Sequence, residues 1–330
     1  MEKTWLGNSG IASSRIGLGT WAIGGWMWGG TDEQESIRTI LHALDLGITL
    51  IDTAPAYGAG VSEEIVGKAI KEYGERDKVI LATKVGLELL PGGAVRRNLT
   101  KQQIEKEVDD SLRRLQTDYI DLYQVHWPDP LVPIEQTAEV LHSLLKSGKI
   151  RAIGVSNFSV EQMRAWKEVA PLHTNQPPYN LFEREIEQDI LPYCHEQQIA
   201  TLLYGSLSRG LLTGKMKKDT VFAGDDLRKT DPKFQSPRYE QYLAAVDKLS
   251  EIAHRYDKTI TEFSIRWVLD QPGASVALWG ARHPEQLTPV RGVDGWKISK
   301  EDLALVDAIL RDTITDPVGP EFMAPPSRES

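Results

Sequence analysis

The sequence has a single cysteine, Cys194, among its 330 residues. One thiol excludes an internal disulfide framework and a thiolate metal cage, and it suits a reducing cytoplasm. The amino terminus, MEKTWLGNSG, lacks the basic, apolar and small-residue pattern of a signal peptide, and the charge-free run 16–31 is short and contains six glycines. We therefore expect no export and no membrane span, and we expect the protein to be cytoplasmic.

The chain also lacks any block of Lys and Arg residues. Its 47 acidic and 38 basic side chains give a net charge of −9. Nucleic acid and anionic membrane surfaces are therefore poor partners. The composition, 41% hydrophobic and 26% charged, is ordinary for a globular protein and excludes collagen, low-complexity disorder and coiled coil.

Short apolar runs rich in β-branched residues alternate along the chain with amphipathic helical patterns, which predicts parallel βαβ units. The runs are Ile16–Gly19, Ile48–Asp52, Val79–Lys84, Tyr119–His126, Arg151–Asn157, His173–Gln176, Ile199–Tyr204 and Ser275–Gly280. Eight such strands, without a linker rich in Gly, Ser or Pro, predict one (β/α)8 TIM barrel over residues 1–330. Capping boxes at residues 31–34 and 100–103 predict two helix starts, and Gly47 and Gly148 predict two helix ends.

Three segments depart from this alternation. Residues 1–15 predict a β-hairpin that closes one end of the barrel. Residues 205–238 form a long connection after the seventh strand, and residues 312–330 form a tail punctuated by prolines. Loops of this length in a compact domain are usually functional lids or disordered, so we expect the connection to be a lid.

Polar side chains end several of the predicted strands. In a barrel these positions share the carboxyl-terminal rim, where active sites lie. The residues are Asp52, Lys84, His126, Ser156, Asn157, Gln176 and Tyr204. Taken singly, Ser156 or Asn157 is equally suited to capping the next helix. Lys84 and His126 are not capping residues, which favours a functional role for them.

A proton-donating site follows if Tyr57, just after the second strand, meets this group. A phenol is a weak acid, but a neighbouring ammonium such as Lys84 lowers its pKa. Asp52 would hold Lys84 and balance its charge. A neutral His126 would orient a substrate oxygen by hydrogen bonding.

Several segments together resemble the aldo-keto reductase superfamily, in particular the bacterial general-stress-protein type. They are 47–58 (GITLIDTAPAYG), 82–84 (ATK), 118–127 (DYIDLYQVHW), 148–158 (GKIRAIGVSNF) and 210–215 (GLLTGK), in the family's order across most of the chain. The resemblance implies reversible reduction of aldehydes and ketones, with detoxification as a purpose. It also implies that Tyr57 is the general acid, that Lys84 and Asp52 tune it, and that His126 positions the carbonyl.

The resemblance further implies a nicotinamide coenzyme extended across the barrel mouth. Ser156, Asn157 and Gln176 match the family's carboxamide ligands, and Tyr204 matches the ring stacked on the nicotinamide. The remaining implied contacts are Thr20, Trp21, Asp52, Gly205, Ser206, Leu207, Ser208, Arg209, Lys215, Arg228, Gly280, Ala281, Arg282 and Gln286. Ser206 and Trp279 stand where relatives commonly carry proline.

Within that set, residues 204–210 match the pyrophosphate loop, and Arg228 either closes over it or is a solvated surface charge. The adenosine end includes Arg282, whose guanidinium suits a 2′-phosphate, and no acidic residue stands there for a ribose hydroxyl. We therefore expect NADPH to be preferred over NADH, with no metal.

Tryptophans cluster after the first and fourth predicted strands, where we expect them to wall the substrate pocket. The predicted pocket residues are Trp21, Trp28, Tyr57, His126 and Trp127, with Trp26 and Met27 nearby. No cationic cluster accompanies them, so we expect a small neutral aldehyde or ketone as substrate, bound by a monomer.

Three alternatives compete with this interpretation. Residues 17–22 (GLGTWA) fit a dinucleotide-binding fingerprint, but a Gly- and Trp-rich loop follows where a helix must begin, so we reject it. A metal-dependent hydrolase would need paired histidines, and no H-x-H or H-E-x-x-H motif is present. A regulatory module resembling the potassium-channel β-subunits remains open, because such modules carry an equivalent tetrad.

Overall fold

This computed structural model describes residues 1–91 and 93–328, which contain twelve β-strands and nine α-helices. The strands are β1 Lys3–Trp5, β2 Ala12–Ser14, β3 Ile16–Gly19, β4 Leu50–Asp52, β5 Ile80–Val85, β6 Leu87–Leu89, β7 Val95–Arg97, β8 Leu122–Val125, β9 Ile153–Ser156, β10 Thr174–Gln176, β11 Ala200–Leu203 and β12 Val276–Gly280. Eight of them pair in parallel in the order β3-β4-β5-β8-β9-β10-β11-β12, and β12 pairs back with β3. The closed (β/α)8 barrel predicted from the alternating pattern is thus confirmed, with every predicted run supplying one strand.

The helices surround the barrel and bury one face against it. They are α1 Glu33–Asp45, α2 Val61–Tyr73, α3 Lys101–Leu115, α4 Ile134–Lys146, α5 Val160–Lys167, α6 Ile190–Glu196, α7 Arg238–His254, α8 Ile260–Asp270 and α9 Lys300–Thr313. The main core lies between these helices and the outer face of the strands. None of the helices in the described ranges is long and apolar enough to cross a membrane.

Helices begin at both predicted capping boxes, but the capping bonds differ from the prediction. At α1 the capping residue is Asp32, which accepts from the backbone N–H of Glu35, and not Thr31. At α3 the hydroxyl of Thr100 donates to Asn98 at 2.9 Å and makes no capping bond. Short polar side chains bond readily to whichever backbone or side-chain partner is nearest, and a sequence motif does not specify which one.

The predicted amino-terminal hairpin is present as the antiparallel pair β1–β2. Leu6 and Ile11, on either side of its turn, are buried against the apolar side chains inside the barrel. Gly7 lies so close to β10 that an added Cβ would stand 2.5 Å from the carbonyl oxygen of His173. The hairpin therefore closes the amino-terminal end of the barrel and leaves the opposite rim open.

A second hairpin, β6–β7, rises from that opposite rim directly after β5 and was missed by the sequence analysis. The tail packs against it: the backbone N–H of Arg97 donates to the carbonyl of Pro326, and Arg97 forms an isolated parallel β-bridge with Ser327. The tail begins after Thr313, slightly later than predicted, and its residues 329–330 lie outside the described range. The long connection after β11 contains three short 3-10 segments and ends where α7 begins at Arg238.

Candidate active site at the carboxyl-terminal rim

The predicted polar side chains meet at the carboxyl-terminal rim because each lies at or just after the end of a parallel strand. Asp52, Ser156, Gln176 and Gly280 are the last residues of β4, β9, β10 and β12, whereas Thr20, His126, Asn157 and Tyr204 follow β3, β8, β9 and β11. Lys84 is the penultimate residue of β5. Tyr57 reaches the same place from the loop after β4.

Lys84 stands at the centre of this group. Its ammonium donates to Asp52 Oδ2 at 2.6 Å, to the carbonyl of Thr53 at 3.0 Å and to the phenol oxygen of Tyr57 at 3.0 Å. An ammonium has three protons and no acceptor, so these bonds use all of them. Tyr57 therefore accepts from Lys84 and keeps its own proton free to point elsewhere.

The Tyr57 loop is held by unusually close packing against the loop after β3. Gly58 has a φ of +67°, and a Cβ there would stand 2.1 Å from the carbonyl oxygen of Gly24. A larger residue at either glycine would push the two loops apart. Ser62 adds hydroxyl contacts to Thr20 at 2.8 Å and Thr53 at 2.9 Å, so Tyr57 is fixed from both sides.

Burial dominates the acidity of the phenol. It raises the pKa of Tyr57, and the carboxylate of Asp52 adds to this, although the charge of Lys84 lowers it. The net pKa lies above the ordinary value, which corrects the expectation that Lys84 brings it down. For Lys84, burial lowers the pKa, but Asp52 and Tyr57 raise it to a net value above normal, so the ammonium stays protonated.

His126 stands across from the phenol, with its ring 5.8 Å from that of Tyr57 and edge-on to it. Burial, with a smaller contribution from the charge of Lys84, holds the pKa of His126 well below its usual value. The imidazole is therefore neutral and carries one N–H donor. Neither ring nitrogen has a hydrogen-bond partner within the described part of the chain.

The four residues matched to the nicotinamide subsite form one hydrogen-bonded group. Tyr204 donates to Asn157 Oδ1 at 2.9 Å, Asn157 donates to Ser156 Oγ at 3.0 Å, and Ser156 donates to the carbonyl of Gln176 at 2.7 Å. Asn157 adopts a φ of +60° and also donates to the carbonyl of His126. These bonds tie the subsite to the loop that carries the imidazole.

A cavity of about 860 Å³ connects these groups and continues across the rim. All of the predicted site residues line it except Lys84, which lies beneath Tyr57, and Ser208. It runs past the loop after β11 to Gly280, Ala281, Arg282 and Gln286 at the end of β12. Its length suits an extended ligand.

The basic side chains along this cavity differ in how they are engaged. The guanidinium of Arg209 is buried and paired with Asp231 and, at 2.7 Å, with Glu183. Lys233 joins the same buried carboxylate of Glu183 at 2.8 Å. Arg209 thus braces its loop, and two carboxylates compensate its charge.

Arg282 is partly exposed and donates to the carbonyls of Trp28 and Gly30, both at 2.6 Å. Gln286 accepts from the backbone N–H of Arg282 at 2.7 Å and so turns this short segment. Arg228 lies over the rings of Trp28 and Phe222 at 5.2 and 4.5 Å. Lys215 is exposed.

The wall above Tyr57 is aromatic and apolar. Trp21 stacks on Tyr57 at 6.1 Å and meets Trp28 edge-on at 5.6 Å, while Trp127 lies on the other side below the guanidinium of Arg97. Five further residues that line the cavity, not predicted from the sequence, come from the β6–β7 hairpin and the tail: Leu87, Val95, Phe322, Met323 and Pro325.

The pattern of the Aldo/keto reductase family matches residues 15–311. The aldo-keto reductase YhdN of Bacillus subtilis (strain 168) is 64% identical over all of this chain and 99% of its own length. The chain belongs to the aldo/keto reductase family.

Other members of the family are similar over nearly the whole chain. The structure of a glycerol dehydrogenase from Gluconobacter oxydans has a TM-score of 0.87 at 53% identity, and the match covers 96% of this chain and 97% of that one. The NADH-specific methylglyoxal reductase of Escherichia coli (strain K12) is 38% identical, covering 87% of this chain and 91% of its own.

Nicotinamide coenzymes serve this family in both forms. Besides the NADH-specific relative, an aldo/keto reductase from Klebsiella pneumoniae was solved in complex with NADP and acetate; it has a TM-score of 0.71 at 29% identity and covers 100% of this chain and 98% of its own. The alternative of a regulatory module gains no support from these proteins, which are named as reductases or dehydrogenases.

Proposed function

We propose that this aldo/keto reductase reversibly converts small neutral aldehydes and ketones into alcohols with NADPH, as a cytoplasmic monomer. The observation that carries the proposal is the buried chain from Asp52 through Lys84 to Tyr57, which ends at the cavity beside His126.

The proton in this reaction would come from Tyr57. Because Lys84 donates to the phenol oxygen, the phenol hydrogen is directed away from Lys84 and toward the cavity. Lys84 also stabilises the phenolate that remains after the proton leaves, which counters the effect of burial on its pKa. The neutral imidazole of His126 would hold the substrate oxygen within reach of this proton.

The residues present fit a nicotinamide coenzyme. Gln176 lines the cavity, and its Oε1 accepts no hydrogen bond within the described residues, which suits it to a carboxamide N–H donor. The backbone N–H groups of Ser206 and Leu207 also have no partner within those residues, and paired N–H groups of this kind bind phosphate oxygens. When bound, NADPH would supply the hydride for the carbonyl carbon.

The preference for NADPH rests on Arg282. Its two terminal nitrogens bond only to backbone carbonyls in the structure, so its charge is not cancelled by a carboxylate. A guanidinium with uncompensated charge favours a 2′-phosphate over a ribose hydroxyl. We expect Arg282→Ala to weaken NADPH binding while leaving NADH binding nearly unchanged, and equal losses for both would contradict this role.

The substrate class follows from the wall of the pocket. Trp21, Trp28 and Trp127 enclose the space above Tyr57 with aromatic surface, which favours small neutral carbonyl compounds. The names of two similar proteins, a methylglyoxal reductase and a glycerol dehydrogenase, support substrates of this size.

A carbonyl panel assayed with NADPH and with NADH, followed at the absorbance of the reduced nicotinamide, tests the proposal. We expect oxidation of NADPH by small aldehydes and dicarbonyls, and slower oxidation of NADH. Absence of turnover with saturating coenzyme across the panel would refute a reductase and favour the regulatory module.

A further inference from the structure

Gln124, which the sequence analysis passed over, is buried directly beneath the site. It lies in β8 two residues before His126 and next to Lys84 in the register of the barrel. Its Nε2 donates to Asp52 Oδ1 at 3.1 Å. The same carboxylate oxygen accepts from Gln176 Nε2 at 2.8 Å. A third bond, from Gln176 Nε2 to Gln124 Oε1 at 3.2 Å, closes a triangle.

Asp52 orients the amide of Gln124, and Asp52 and Gln124 together orient the amide of Gln176. A carboxylate facing an ammonium is an acceptor only, so each glutamine must present nitrogen to it. The amide nitrogen of Gln176 then donates one hydrogen to Asp52 Oδ1 and the other to Gln124 Oε1. Both hydrogens of the Gln176 amide are committed below the cavity floor, and its oxygen is left for the cavity.

The barrel provides room for this arrangement at Gly154 in β9. Gly154 pairs with Gln124 in the strand register, and a Cβ there would stand 2.8 Å from Gln124 Cγ and 2.2 Å from the hydroxyl of Thr174. The Gln124 side chain thus occupies space that any other residue at position 154 would take.

We propose that Gln124 is a positioning residue that locks the amide of Gln176 with its oxygen toward the coenzyme, so that the site selects a carboxamide N–H donor. This inference rests on the proposed function, which assigns Gln176 to the nicotinamide subsite. Gln124 itself does not touch the coenzyme and acts through Gln176 and Asp52.

The test compares two ligands that differ only at the group in question. NADP⁺ carries a carboxamide, whereas its 3-acetylpyridine analogue has the carbonyl but no N–H. Dissociation constants are measured by quenching of tryptophan fluorescence for the unaltered protein and for Gln124→Met, which removes both hydrogen bonds at similar length. Tyr123→Phe is the matched control, because Tyr123 directly precedes Gln124 in β8 and packs in the outer core, and its buried hydroxyl has no partner among the described residues.

The factor of interest is the dissociation constant of the analogue divided by that of NADP⁺. We expect this factor to be above one and equal in the unaltered protein and in Tyr123→Phe. In Gln124→Met this factor should shrink by about threefold to tenfold, as the loss of one orienting hydrogen bond implies. Gln124→Asn, one methylene shorter, should shrink it as well and serves if the methionine variant does not fold.

Two outcomes separate the failure of this inference from failure of the proposed function. If the unaltered protein binds neither ligand, the proposed function is wrong and the inference falls with it. If it binds both and the Gln124 variants keep the unaltered preference for NADP⁺, the proposed function stands and the role of Gln124 is refuted.

Discussion

The pair of Asp52 and Lys84 should be strongly coupled in the free energy of unfolding. Both side chains are buried, and their charged atoms are 2.6 Å apart. Removing one partner of a buried pair leaves an uncompensated charge and costs about 3–5 kcal/mol, whereas removing both leaves none. We therefore expect Asp52→Asn and Lys84→Met each to destabilise the protein by roughly 3 kcal/mol or more. The double variant should be less destabilised than the sum of the two by a similar amount.

Unfolding in urea at pH 7, followed by tryptophan fluorescence and circular dichroism, measures this coupling. Lys68 and Glu33 provide the matched control, since their charged atoms are 2.8 Å apart but both side chains are nearly half exposed. For that pair we expect a coupling of about 0.2–1 kcal/mol. Additive effects of Asp52→Asn and Lys84→Met, no larger in coupling than the control, would refute the buried ion pair.

Two further predictions concern groups outside the reacting centre. Burial raises the pKa of Glu107 from 4.5 to about 7, so the folded protein holds this proton more tightly than the unfolded chain does. The free energy of unfolding should therefore fall by up to about 3 kcal/mol as the pH rises between those two values. Glu107→Gln should lack this fall in urea titrations at pH 5 and 8, and an equal fall in both proteins would contradict it. Gly154→Ala should cost about 1–3 kcal/mol through its clash with Thr174 and Gln124, with partial recovery in Gly154→Ala/Thr174→Ala. A Gly154→Ala protein as stable as the unaltered one would show that the space is not needed.

The barrel was predictable because its strands bury both faces. Most of these strands read as apolar runs, although β10 (TNQ) is polar, and each predicted run overlaps one barrel strand. The β6–β7 hairpin escaped prediction because its strands have only three residues each and flank the breaker sequence PGG at 91–93. Its position was set by the tail, through bonds such as that from Arg97 to Pro326, which a local pattern cannot reveal.

The candidate site was predictable in its residues and less so in its energetics. Strand ends and the family resemblance predicted one site that contains Asp52, Tyr57, Lys84 and His126. The structure places these residues within contact of one another. The direction of the pKa shift of Tyr57 was wrong, because burial outweighs the ammonium and burial is a property of the fold.

Pairing across long stretches of sequence was also invisible. Arg209 reads as a free cation in the sequence, but Glu183 and Asp231 enclose it only after the chain has folded. Gln124 lies inside an apolar run, and its hydrogen-bond partner Asp52 is 72 positions away in the sequence. Neither residue carries a local signal of its bonding.

The central claim is that the phenol of Tyr57 donates the proton, and Tyr57→Phe tests it most directly. Phenylalanine keeps the ring beside Trp21 and removes only the hydroxyl that Lys84 contacts. We expect carbonyl reduction to fall by at least about a hundredfold, the smallest loss typical of a missing general acid, while the dissociation constant for NADPH stays within about twofold. Activity above about a tenth of normal, with unchanged coenzyme binding, would contradict Tyr57 as the proton donor.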